Sequence, residues 1–222
     1  MTAFEQLLAA TAGERNELMN NPVIQRAMVG KIERPTYVRF LTQAYHHVRH
    51  TVPLLMLTGA LLPPSHEWLR SAMAHYIEEE QGHELWILED IKACGANPEQ
   101  AGADGPSLAT EVMVAYAYDS VQRINPIRML GMVHVLEGTS AALATAAAES
   151  LQQSLALPDR AFVYLRSHGS LDLEHVDFFE GLVNRLGTAD LEQVIESASR
   201  FYRLYGNIFS ELEMAAPRQA AA

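Results

Sequence analysis

The chain has 222 residues, a formal charge of −11, nine histidines and one cysteine. At this length a chain buries about 70–75% of its unfolded surface, so a single domain spanning residues 1–222 is expected to fold without covalent staples. Cys94 has no partner for a disulfide and cannot build a cysteine-based zinc site, which points to a reducing compartment, the cytoplasm. Sixteen Lys and Arg against 27 Asp and Glu exclude a polyanion-binding surface, so nucleic acid is not an expected partner. The longest apolar run, Val52 to Leu62, is too short to cross a bilayer, and residues 1–20 lack a basic stretch followed by an apolar one. Neither a membrane nor a secretory role is expected.

Ala, Leu, Glu, Gln, Arg and Met dominate, and β-branched residues never alternate with polar ones for more than a few positions, so the pattern is helical throughout. Residues 1–15 are expected to fray. Asn21-Pro22 reads as a cap followed by proline at the first helical position, opening a short helix that stops at Gly30. A second helix runs from Arg34 to about Leu62 with a kink at Pro53, and Pro63-Pro64 ends it. The third extends from Ser65 or His66 to Cys94, before the stop signal of Gly95, Asn97 and Pro98. After a loop to Pro106 come a fourth helix from Ser107 to about Ile124 and a fifth from Asn125-Pro126 to Leu157-Pro158. Asp159 starts a sixth that ends at Leu186-Gly187, and a seventh reaches Met214, leaving residues 216–222 as a frayed tail. The expected fold is therefore all-α, a seven-helix bundle with short connections.

Histidines and acids fall on these helices in a suggestive register. On the sixth, His168, Asp172 and His175 at i, i+4 and i+7 share one face, with Gly169 among them leaving room for a close neighbour. The alternative is a solvated polar face. On the third, Glu80 precedes His83 by three residues, the Glu-x-x-His spacing by which helical bundles present an oxygen and a nitrogen donor together, with Glu79 as the competing acid. On the fifth, Glu137 is isolated in an apolar stretch, where a buried carboxylate needs a compensating cation. His134, one turn away, reads best as a core histidine. The set Glu80, His83, Glu137, His168, Asp172 and His175 offers three carboxylates and three imidazoles, a donor mixture suited to Fe or Mn and the natural count for two metals.

These segments, EEEQGHELWILEDI, the isolated Glu137 and His168-x3-Asp172-x2-His175, resemble the haem-oxygenase-like di-iron oxidases, the iron-containing redox enzymes. Their fold is shared with haem oxygenase, TenA-type thiaminases and pyrroloquinoline-quinone synthase. The resemblance runs from about Asn21 to Met214. It implies that His83, Glu137 and His168 hold one iron, and that a third-helix acid, Asp172 and His175 hold the second. Some members carry that acid three residues before the histidine, as Glu80 would be, and others seven, where this chain has Tyr76, so a labile second iron is implied. It further implies ferrous iron at both sites, O₂ as co-substrate and oxidation of a small organic molecule, with these six residues as the catalytic groups. A homodimer is the expected assembly.

Some members consume one of their own tyrosines, although Tyr45, Tyr76, Tyr116, Tyr118, Tyr202 and Tyr205 read more simply as core or pocket aromatics. His46, His47 and His50 on the second helix either line the substrate cavity or are partly exposed polar residues, and are left out of the metal set. Arg123, Arg128 and Arg166 could hold a substrate carboxylate, with surface ion pairs as the plainer reading. Haem binding of the usual kind is not expected, because no histidine precedes His46. The competing readings are a cofactor-free oxidase like pyrroloquinoline-quinone synthase, a TenA-like thiamine-salvage hydrolase using Cys94, and a non-catalytic helical binding protein.

Overall fold

A computed structural model describes residues 1–214, with only the backbone described for 170–174 and 214. Among these residues there is no strand. Twelve α-helical segments follow one another: α1 (Ala3–Ala10), α2 (Ala12–Met19), α3 (Pro22–Met28), α4 (Arg34–Val48), α5 (Thr51–Leu61), α6 (Glu67–Glu80), α7 (His83–Ala93), α8 (Pro98–Ala103), α9 (Leu108–Asp119), α10 (Met129–Leu155), α11 (Val163–Val183) and α12 (Thr188–Met214). The all-α bundle stands, and the count of seven becomes twelve for local reasons.

Residues 1–15 fall within α1 and α2: Thr2 and Glu5 form a reciprocal capping box on α1, and Leu7 and Thr11 are buried. The long second helix breaks at Arg49-His50 rather than at Pro53. Pro53 is the third residue of α5, where a backbone N–H would have no intrahelical acceptor, so the ring costs no hydrogen bond. The long third helix breaks between Glu80 and His83, because Gln81 is extended and Gly82 adopts φ +93°, a conformation open to glycine at little cost. Within the expected loop, Asn97 caps the short α8, with Pro98 at its first position.

The 27-residue α10 is the spine, about 40 Å long, and packs against both α11 and α12. Its approach to α11 is very close. A Cβ on Gly169 would lie 2.9 Å from the Thr145 backbone nitrogen and collide with the Thr145 hydroxyl, so no larger residue fits that crossing. The start of α11 has no local side-chain cap. Asp90 of α7, fully buried, supplies one by accepting hydrogen bonds from the backbone N–H of Val163 (3.1 Å) and Tyr164 (2.9 Å). Burial pushes its carboxyl up to about 6 although both hydrogen bonds pull the other way.

Candidate metal centre

Four helices, α6, α7, α10 and α11, bring five of the six candidate ligands together. The donor atoms of Glu80, His83 and His168 lie within 4.8 Å of one another, and so do those of Glu80, Glu137 and His175. Glu80 is common to both groups. It closes α6, His83 opens α7, and the Gly82 turn between them folds the histidine back until its Nδ1 is 3.2 Å from Glu80 Oε2. The expected pairing therefore forms across a helix break, not along one helical face. Both residues are buried.

Glu137 is turned inward with 12% of its side chain exposed, and its Oε1 stands 3.7 Å from His175 Nδ1. It thus groups with His175 and Glu80, whereas the resemblance implies His83 and His168 as its partners. The cause is the α10–α11 crossing, which sets Glu137 against His175. Asp172 belongs to residues 170–174, so its side chain lies outside the described residues.

Tautomers follow from the surroundings. His168 Nδ1 donates to the Tyr164 carbonyl at 3.0 Å, which leaves Nε2 as the nitrogen with a lone pair. His175 Nε2 faces Glu79 Oε2 at 3.0 Å, and the other oxygen of Glu79 is 3.5 Å from His75 Nε2. Glu79 Oε2 approaches His175 Nε2 as a close contact without hydrogen-bond geometry, while Nδ1 of the same ring faces Glu137. Glu79 thus stands behind His175, and Glu80 sits among the candidate donors. Burial alone would raise the Glu80 carboxyl, but the contact with His83 and the imidazoles of His168, His83 and His175 outweigh it and hold it below the ordinary value.

These residues fit a metal. His83 Nδ1 is buried beside Glu80 yet without hydrogen-bond geometry, so a ring nitrogen and a carboxylate converge in a way that a shared cation would satisfy. The donors are oxygen and nitrogen only, as Fe or Mn prefer.

A cavity of about 560 Å³ borders Glu80, Glu137 and His168 and is walled by Tyr76, Met132 and His47. Of the α4 histidines, His46 donates from Nε2 to the Ala101 carbonyl (3.0 Å) and has a structural role, while His50 meets the Tyr118 hydroxyl (3.1 Å). His47 is the one that reaches the cavity. It is 3% exposed, and burial, reinforced by the nearby imidazoles of His168, His50 and His46, lowers it to about 3, so it is neutral. His134 is a core residue, stacked on Phe179 with its Nε2 3.4 Å from the Tyr202 hydroxyl. The three arginines are all engaged elsewhere: Arg123 with Asp119 (2.8 Å), Arg128 with Gln193 and Glu196, and Arg166 with Gln152 and Asp159. Trp86 stacks on His83 with ring centroids 4.0 Å apart, and its place three residues further on is the sequence signal for that contact. Asp90 gave no comparable signal, because its partners lie 73 and 74 residues away in the chain.

The fold is that of haem oxygenase and its relatives. A domain of unknown function from Shewanella denitrificans with a haem-oxygenase-like fold superposes with a TM-score of 0.84 at 23% identity, covering 96% of this chain and 93% of that one. A TenA homologue from Pseudomonas syringae gives 0.79 at 10% identity, with 95% and 92% covered, and haem oxygenase-1 from Synechocystis, in complex with haem, gives 0.76 at 14%, with 96% and 93% covered. No curated protein matches in sequence. Residues 38–206 match the model of the iron-containing redox enzymes, and the chain belongs to that family.

Proposed function

We propose that the chain is a non-haem di-iron oxidase that uses O₂ to oxidise a small organic molecule. The observation that carries this reading is the buried convergence of Glu80 with His83 and His168 on one side and with Glu137 and His175 on the other. These five residues, with Asp172 as the sixth, would hold two ferrous ions, and the same donors would accept Mn. Iron bound there would supply the reduction of O₂ and the oxidising power.

The chain's own residues do the rest. Glu80 spans the two groups and fixes their separation. The Tyr164 carbonyl holds the ring of His168 in the tautomer that ligation needs, and the Glu79 carboxylate stands against the far nitrogen of His175. Tyr76 and Met132 exclude water from the cavity beside the donors, and neutral His47 offers a hydrogen bond without adding positive charge. Thiaminase-type hydrolysis is less well supported. It needs a cysteine nucleophile in the pocket, whereas Cys94 does not border the cavity beside the donors and burial, with Asp90 nearby, pushes its thiol up to about 11.

Anaerobic titration with ferrous iron tests the reading. Close to two equivalents should bind, and mixing with O₂ should give a transient visible absorption. Glu80→Ala should abolish both equivalents, His83→Ala or His168→Ala one, and His175→Ala the other. Absence of tight binding at either group would refute the reading.

A further inference from the structure

Helices α7 and α11 meet at two places. At one, the rings of His83 and His168, both of the first donor group, stand with centroids 4.9 Å apart. At the other, Asp90 of α7 accepts from the backbone N–H groups of Val163 and Tyr164 at the start of α11. Asp90 follows His83 by seven residues, two helical turns or about 10 Å, so both project from one face of α7. Tyr164 joins the two places. Its N–H goes to Asp90, its carbonyl accepts the Nδ1–H of His168, and its ring packs on that of His168 with centroids 4.5 Å apart. Just ahead, the Tyr37 hydroxyl fixes the Ala161 carbonyl, but it is a donor there and leaves the two N–H groups to Asp90. A serine or aspartate at position 162 would cap α11 locally with little desolvation, and Phe162 stands there instead. Asp90 is fully buried, and burial raises its carboxyl in spite of the two hydrogen bonds. Such an acid is a costly cap, and what it adds over a local one is a tie between two helices.

We propose that Asp90 is a positioning residue for His168, holding the Tyr164 carbonyl where it keeps the imidazole as the Nδ1–H tautomer and leaves Nε2 for the donor group. The connection is continuous: a carboxylate on the helix of His83 grips the first turn of α11, and that turn carries the acceptor that orients His168 one turn further on. Which ring nitrogen keeps the proton is set by the hydrogen bond the other nitrogen makes. An acceptor that drifts from Nδ1 therefore frees the proton to sit on Nε2, where a ligand needs a lone pair. With the Asp90 carboxylate gone, two N–H groups lose their acceptor and the first turn of α11 can unwind, taking the Tyr164 carbonyl with it. Because α7 also presents His83, the same tie fixes the separation of the two imidazoles. The oxidase reading enters only in the use to which His168 is put, because the tautomer exists without metal.

Two-bond proton–nitrogen NMR spectra of the iron-free protein, with His168 assigned by its loss in His168→Gln, read the tautomer directly. The native chain should show His168 as Nδ1–H. Asp90→Ala should move it to the other tautomer or to an average of the two, and Asp90→Asn, which keeps one acceptor oxygen, should fall between the native chain and the alanine variant. Should the alanine variant not fold, the shift in the asparagine variant carries the test. Leu18→Ala, at a buried position of α2, which packs on α12, is the control for general loss of stability and should leave the signal unchanged. In Asp90→Ala, stepwise ferrous titration should find affinity lowered about ten-fold at the group of His83 and His168 and unchanged at the group of Glu137 and His175. A His168 signal unaffected in the Asp90 variants, the same shift in Leu18→Ala, or an equal loss of iron at both groups overturns the proposal. A native chain that binds no iron would refute the oxidase reading and leave the tautomer to decide this one.

Discussion

Glu79 and Glu80 carry the same side chain at adjacent positions, and the end of α6 sends them to opposite sides of His175 and its neighbours. Sequence spacing alone could not separate them, since both stand within one helical turn of His83. Their partners decide: Glu80 meets four other donors, while Glu79 braces the far nitrogen of His175. Glu79→Ala should therefore weaken iron in the His175 group about 10–100-fold with little change in the His83 group, and Glu79→Gln, which keeps an acceptor oxygen, should recover part of it. Stepwise ferrous titration would show two unequal affinities.

His134 offers a test independent of metal. Burial, with Arg15 a smaller contributor, lowers it to about 4. Its folded value is below its unfolded one of about 6.5, so the unfolded chain binds more protons between the two and stability declines as pH falls from 6.5 towards 4. His134→Phe, which retains the stacking on Phe179, should flatten that decline, worth about 3 kcal/mol at its acid limit. Near pH 7 the variant should lose about 1 kcal/mol, because the Tyr202 hydroxyl loses a partner. Denaturant melts across this range measure both.

At the level of elements, the sequence showed the stripe on α11 and the Glu-x-x-His pair, but not how they meet. A continuous helix from Ser65 to Cys94 would have set Glu80 and His83 on neighbouring positions of one face. Gly82 instead starts a new helix at a new angle. A Cβ there meets nothing within 4 Å, so Gly82→Ala should cost only the left-handed backbone penalty, about 1–2 kcal/mol, while relaxing the turn that presents His83. Gly169 was legible as room for a close neighbour, and Thr145 is that neighbour. Gly169→Ala should destabilise by about 1–3 kcal/mol and spread α10 from α11, lowering iron affinity at His168 more than the loss of stability alone would. Asp90→Ala should fray the start of α11 and cost about 1–2 kcal/mol, since two buried N–H groups lose their acceptor.

For the whole molecule, helical periodicity and cap-plus-proline signals gave the all-α class and most helix ends. The break at Arg49-His50 carries no glycine or proline of its own and so left no mark in the sequence, and a single glycine such as Gly82 inside a helical pattern does not by itself announce the left-handed turn that ends α6. The apolar space that Val23, Phe40, Leu143 and Phe209 line was not legible either, because these residues come from α3, α4, α10 and α12 and only the assembled helices enclose it. Binding of iron to the folded chain alone should raise its stability by about 2.7 kcal/mol at one hundred times the dissociation constant, and this is measurable as an upward shift in Tm.

Glu80 and His175 are 95 residues apart in the chain, and each donor group closes only when α11 docks against α6 and α10. A nascent polypeptide lacking α11 has no pocket to offer an ion, unlike a small zinc module whose ligands lie close together and fold around the metal. On the proposed reading, loading would therefore be a late event on a finished scaffold. The identity of the ion is then settled by what the compartment supplies at that moment, and exchange between iron and manganese should proceed without unfolding.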